Sequence, residues 1–131
     1  MGVIITSQSL SLPTFPLLVG RSARAEETAV IAGYGSVRGG EGGTLQAGTM
    51  TVDRVDTNFI YAFFDGTGCN TCSEDSGGPF FLQEGDTWAI AGVTAGGDTD
   101  DCLSGSSDFA NLQNAEVMSH IFGLVPGAAR R

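Results

Sequence analysis

Histidine is almost missing from this chain: His120 is the single one in 131 residues. Chemistry that needs a histidine base or a histidine ligand set therefore has one candidate at most. Cationic residues are also scarce, six Lys and Arg against fifteen Asp and Glu, for a net charge of −9. That balance argues against nucleic acid or an anionic membrane as partner. No run of eighteen apolar residues occurs, so no membrane span is expected. Three cysteines with one histidine could only just furnish a zinc set, and no second paired-ligand motif accompanies Cys69-x-x-Cys72. Asp98, Asp100 and Asp101 lack the spacing and the closing glutamate of a calcium loop. No metal and no cofactor are expected.

Glycine is what the chain has in excess, 20 residues in all, beside an ordinary 41% of hydrophobic residues. Such a composition favours short strands and tight turns over long helices. The length suits one domain with its own core. Residues 1–26 read as an extended arm, because Pro13 and Pro16 exclude a helix and the link that follows is polar. Small residues at Ala23-Arg24-Ala25 resemble a cleavage site. However, no charge precedes Arg21, and Ser7, Gln8, Ser9 and the prolines interrupt the apolar stretch, so a signal peptide is not expected. Strands are expected over 28–34, 49–55 and 58–64. A hairpin is expected from 80–82 to 88–95 across the acidic turn Glu84-Gly85-Asp86. Residues 36–44 and 96–107 read as loops, and 112–122 as the one helix, stopped by Gly123 and Pro126. The pattern is all-β with a terminal helix, a small barrel or sandwich. Gly33-x-Gly35 followed by Gly39-Gly40 does not fit a dinucleotide fingerprint.

The chemistry-bearing stretch is Glu74-Asp75-Ser76-Gly77-Gly78-Pro79, just after Cys72 and before the apolar Phe80-Phe81-Leu82. Read by itself, Ser76 is either an activated nucleophile or a serine in an ordinary Gly-Gly-Pro turn. It is not the Gly-x-Ser-x-Gly elbow of α/β-hydrolases, since Glu74 stands where the first glycine is required. Asp-Ser-Gly-Gly-Pro in this setting resembles the nucleophile segment of trypsin-like, chymotrypsin-fold serine proteases. Other segments line up with the second half of that family in order. Ser11-Leu12-Pro13-Thr14 resembles the linker between its two barrels, and Val30 to Gly35 the strand that usually ends in Gly-Trp-Gly. Ala91 to Gly96 resembles the strand beside bound substrate, and Val117 to Ile121 the C-terminal helix.

The resemblance implies a six-stranded antiparallel Greek-key barrel over residues 27–125 with a C-terminal α-helix. Residues 1–26 then become the inter-barrel linker and 126–131 a tail. It implies Ser76 as the catalytic nucleophile and the backbone N–H groups of Glu74 and Ser76 as the oxyanion hole. Asn70 then stands at the base of the substrate pocket, and Thr94, Ala95 and Gly96 line it. Asn70 is neutral where members that prefer Arg or Lys carry aspartate, and Asp108 near the opposite wall is a candidate substitute. A Cys72–Cys102 disulfide is implied, leaving Cys69 free or paired elsewhere, and with the disulfide an extracellular location.

Glu74 departs from the family's glycine, which either lowers activity or is a tolerated variation. Asp75 is expected to bond to local backbone N–H groups. His120 is expected to be a packed helix residue rather than a base. The segments that carry the family's catalytic histidine and aspartate have no counterpart here. The expectation is therefore a serine endopeptidase present as its C-terminal half, inactive alone, whose partners are a peptide substrate and a further barrel. The rival expectation is a non-catalytic binding module that docks a partner through the exposed inter-barrel face.

Overall fold

The computed structural model describes residues 1–37, 42–64, 66–98 and 102–131. Six strands form one closed antiparallel barrel: β1 (Thr28–Gly33), β2 (Gln46–Val55), β3 (Phe59–Phe63), β4 (Pro79–Glu84), β5 (Thr87–Gly97) and β6 (Ser106–Asn111). Their order around the barrel is β1-β2-β3-β6-β5-β4, a Greek-key path that β4 closes by pairing Ala29 with Leu82 and Ile31 with Phe80. Helix α1 (Ala115–Leu124) follows. Among the described residues no helix is long and apolar enough to cross a membrane.

Alternation along the strands, interrupted at bulges, builds the interior. Ala29 and Ile31, Met50 and Val52, Ile60 and Ala62, Phe80 and Leu82, and Ala89 and Ala91 all point inward and are buried. In a closed barrel every second side chain must fill a tapering space, so small residues sit opposite large ones. Phe80 and Phe109 stack in the centre, ring centroids 4.2 Å apart. Gly92 makes room for them: a Cβ there would lie 3.0 Å from the Cβ of Phe109.

The expected strands 28–34, 49–55 and 58–64 and the hairpin correspond to β1 to β5. The turn between β4 and β5 has Gly85 at φ 60°, the left-handed geometry that a tight hairpin requires. Strand β6 corrects the reading of residues 96–107 as loop throughout and of 112 as the next element. Ser107, Phe109 and Asn111 alternate inward, but Ser106-Ser107-Asp108-Phe109-Ala110-Asn111 has no β-branched residue to announce a strand. The helix also starts later than expected. Asn114 caps it, its side chain accepting from the N–H groups of Glu116 (2.8 Å) and Val117 (3.3 Å). Gly123 does not stop it, and the helix runs to Leu124.

Residues 16–20 leave the arm and lie along β5. Leu18 donates to Ile90 O and is fully buried, and Gln113 donates to both Leu18 O and Ala91 O. Arg21 pairs with Glu27 and Glu84, anchoring the same segment to β4. Residues 129–131 run beside residues 17–20, where Arg131 O accepts from Val19 and Gly20.

Candidate active site

The loop from Cys69 to Gly78 crosses one end of the barrel between β3 and β4 and is pinned at four places. Cys72 is bonded to Cys102, Cα atoms 5.1 Å apart, which joins it to the loop between β5 and β6. Closing thirty residues in this way stabilises by roughly 3–4 kcal/mol in the chain-entropy account. Asp75 supplies the second tie: Oδ1 accepts from Gly35 N (2.9 Å) and Oδ2 from Cys72 N (3.0 Å). Gly33 and Gly35 exist for this carboxylate, since a Cβ at either would overlap the Asp75 side chain. The third tie is to β5, where Gly77 N donates to Thr94 O and Thr94 N donates to Gly78 O, both at 2.9 Å. Ser36 N donates to Ser73 O to complete the frame.

Ser76 stands at the apex of that frame and is exposed. Its Oγ makes no hydrogen bond among the described residues, and the N–H groups of Glu74 and Ser76 donate to no acceptor there. Unsatisfied N–H groups flanking an exposed hydroxyl can receive an oxyanion. Glu74 has φ 74°, the left-handed region that glycine adopts without penalty, so the side chain has not forced a different backbone. Its carboxylate turns toward Gly42, where a Cβ would come within 2.9 Å of Oε2.

Beside Ser76 opens a cavity of about 450 Å³, with Asn70, Thr71, Thr94, Gly96, Ser106 and Ser107 in its wall. Ala95 is exposed at the β5 bulge between Thr94 and Gly96 and lines neither this cavity nor its neighbour. The neighbouring cavity, about 340 Å³, is more apolar, with Ile31, Val37, Phe64 and Leu103 around the half-buried free Cys69. Cys69 packs on the barrel core against Gly48, where any Cβ would overlap its sulfur.

Asn70 is held by four hydrogen bonds. Oδ1 accepts from Thr71 N and Ser107 Oγ, and Nδ2 donates to Cys102 O and Ser104 O. Sequence reasoning finds Asn70 but not the network, because Cys102, Ser104 and Ser107 come from a loop and a strand more than thirty residues away. Thr71 and Ser107, both absent from the expected site, belong to it.

Two expectations are corrected. Asp108 does not face the cavity: β6 turns Ser107 inward and Asp108 outward, opposite Tyr61. There burial, with Asp98 nearby, holds its carboxyl above the usual carboxylate range, and Arg54 only partly opposes this. His120 is not packed but exposed on α1, and it lines neither cavity. Asp75 bonds to backbone N–H groups, of which Cys72 N is local as expected and Gly35 N lies forty residues away. Of the acidic trio, Asp98 accepts from Ser106 N at 2.7 Å, while Asp100 and Asp101 lie outside the described residues, as do Gly39 and Gly40. No group of three metal-ligating side chains is found among the described residues.

Comparison with known proteins agrees with this geometry. A family model described as Trypsin matches residues 6–115. A doubly substituted human heparin-binding protein (CAP37) superimposes with a TM-score of 0.70 at 21% identity, over 95% of this chain and 56% of that one. The chain thus spans little more than half the length of that structure. With a matched closed barrel, a Cys72–Cys102 disulfide and a family match over most of its residues, this chain belongs to the trypsin family.

Proposed function

We propose that this chain is the nucleophile-bearing half of a serine endopeptidase, inactive until a second barrel supplies the base. The observation that carries the reading is the apex of the 69–78 loop: an exposed Ser76 Oγ and two N–H groups, all unbonded among the described residues, beside a cavity. In the reaction, a histidine outside these 131 residues takes the Ser76 proton as Oγ attacks the scissile carbonyl. An aspartate on the same body orients that histidine. The N–H groups of Glu74 and Ser76 hold the oxyanion, and the residue preceding the scissile bond enters the cavity over Asn70. Thr94, Ala95 and Gly96 run beside the substrate backbone. His120 does not substitute for the base, being on α1 and bonded to nothing near Ser76.

The disulfide suits an oxidising, extracellular setting. Peptide or protein is the substrate, and neither nucleic acid nor membrane is a partner, in keeping with the charge.

A second reading, a binding module without turnover, draws on exposed Tyr34, Val37 and Leu45 at the cavity end of β1 and β2. Mixing the chain with a separately produced histidine-bearing barrel of the family separates the two. Peptide hydrolysis that appears on mixing and vanishes in Ser76→Ala supports the endopeptidase. A stable complex with no Ser76-dependent hydrolysis supports the binding module.

A further inference from the structure

The hydrogen bonds at the floor of the cavity beside Ser76 run in one direction. Asn70 Oδ1 has no proton to give, so the 2.7 Å bond to Ser107 Oγ must carry the serine's proton. Ser107 has then spent its one hydrogen, and the 2.6 Å contact with Thr71 Oγ1 must carry the threonine's. The amide of Asn70 is locked in this orientation, because Nδ2 donates to the carbonyls of Cys102 (3.2 Å) and Ser104 (3.3 Å) while Oδ1 also accepts from Thr71 N (3.0 Å). Both Nδ2 hydrogens are used. The chain of protons ends at Thr71 Oγ1, which can only accept. The floor offers acceptors and no donor.

Charge sharpens the selection. Among the described residues the wall contains only Asn, Thr, Cys, Ser and Gly, with no ionisable side chain. Among the described residues of that wall an ammonium or guanidinium would find no counter-ion, and burying an unpaired charge costs more than burying a neutral donor. A carboxylate would meet acceptor lone pairs on a molecule of net charge −9. A primary amide satisfies the floor by donating to Thr71 Oγ1, and its carbonyl can accept from the hydroxyl of Ser73 or Ser106, neither of which is bonded among the described residues.

We propose that the cavity beside Ser76 selects an uncharged, hydrogen-bond-donating side chain, the primary amide of glutamine or asparagine foremost, through the one-directional Asn70–Ser107–Thr71 network. As a substrate preference this rests on Ser76 being the nucleophile; as a binding property it does not.

The test uses the isotope-labelled 131-residue chain and follows backbone amide shifts on titration with propionamide, propionate and n-propylammonium, analogues of amide, acidic and basic side chains. Propionamide should give saturable shifts at Thr71 and Ser107 with an affinity about tenfold or more above the other two. Thr71→Val should abolish that response. Ser107→Ala returns a proton to Thr71 and should lower the selectivity for amide over propionate. The proposal is overturned if propionate or n-propylammonium binds as well as propionamide, if none of the three binds saturably, or if selectivity survives Thr71→Val or Ser107→Ala. Amide binding that persists while no Ser76-dependent hydrolysis appears on mixing with a histidine-bearing barrel would sink the nucleophile reading alone.

Discussion

Glu74 and Asp75 adjoin the nucleophile candidate and pull on stability in opposite directions. Glu74 holds φ 74°, where a non-glycine residue costs roughly 1–2 kcal/mol. Glycine there would relieve that but lose about 0.5–1 kcal/mol to the freer unfolded chain. The Glu74→Gly variant is therefore expected to gain roughly 0.5–1 kcal/mol in denaturant unfolding, and a loss would show that Glu74 makes compensating contacts. Asp75 is the opposite case. Its two carboxylate bonds to backbone N–H groups of Gly35 and Cys72 are charge-assisted. Asp75→Ala should cost about 3 kcal/mol or more. Gly33→Ala should also destabilise, because its methyl would occupy the place of Asp75 Oδ1. If that overlap is the whole reason for Gly33, the Gly33→Ala penalty should largely disappear in the Asp75→Ala background, as a double-mutant cycle would measure.

At the scale of elements, the turn between β2 and β3 depends on one ionised carboxylate. Asp56 accepts from the N–H groups of Phe59 and Asn58 and from the Tyr61 hydroxyl, and these bonds hold its carboxyl below the usual range. A depressed carboxylate contributes stability that is present above its unfolded value, about 3.9, and is lost as pH falls through the lower folded value. The melting-temperature gap between the protein and Asp56→Asn should thus be open near neutrality and narrow as pH falls below about 4. A gap independent of pH would mean that the ionised form has no special role.

The same scale shows what a sequence can and cannot announce. Strands β1 to β5 are legible from apolar alternation and flanking glycines. Strand β6 is not, because Ser107 and Asn111 fill inward positions that sequence patterns reserve for apolar residues. Ser107 is inward because it belongs to the Asn70 network, a long-range requirement invisible in local composition. Gly33 and Gly35 are likewise legible as a strand end, yet their reason is a carboxylate forty residues further on. His120 is exposed, and helical spacing alone does not say which face of α1 meets the barrel.

On the scale of the whole molecule, the barrel presents a pinned nucleophile loop, while the one histidine, His120, lies on α1 and lines neither cavity. The loop is fixed by the disulfide, by Asp75 and by β5, so the N–H groups of Glu74 and Ser76 are set before any substrate arrives. On the proposed reading the general base comes from a second barrel; without it a contribution of about 10²–10⁴ in rate is lost, which a small diffusible base can partly restore. The most direct measurement is hydrolysis of an activated peptide ester by the 131-residue chain and by Ser76→Ala, each with and without imidazole. The expected result is no enzymatic turnover without imidazole, and with it a rate about tenfold or more above that of imidazole alone, lost in Ser76→Ala. Equal rates for the two proteins in imidazole would contradict Ser76 as nucleophile, and Ser76-dependent turnover without imidazole would contradict the proposed need for an outside base.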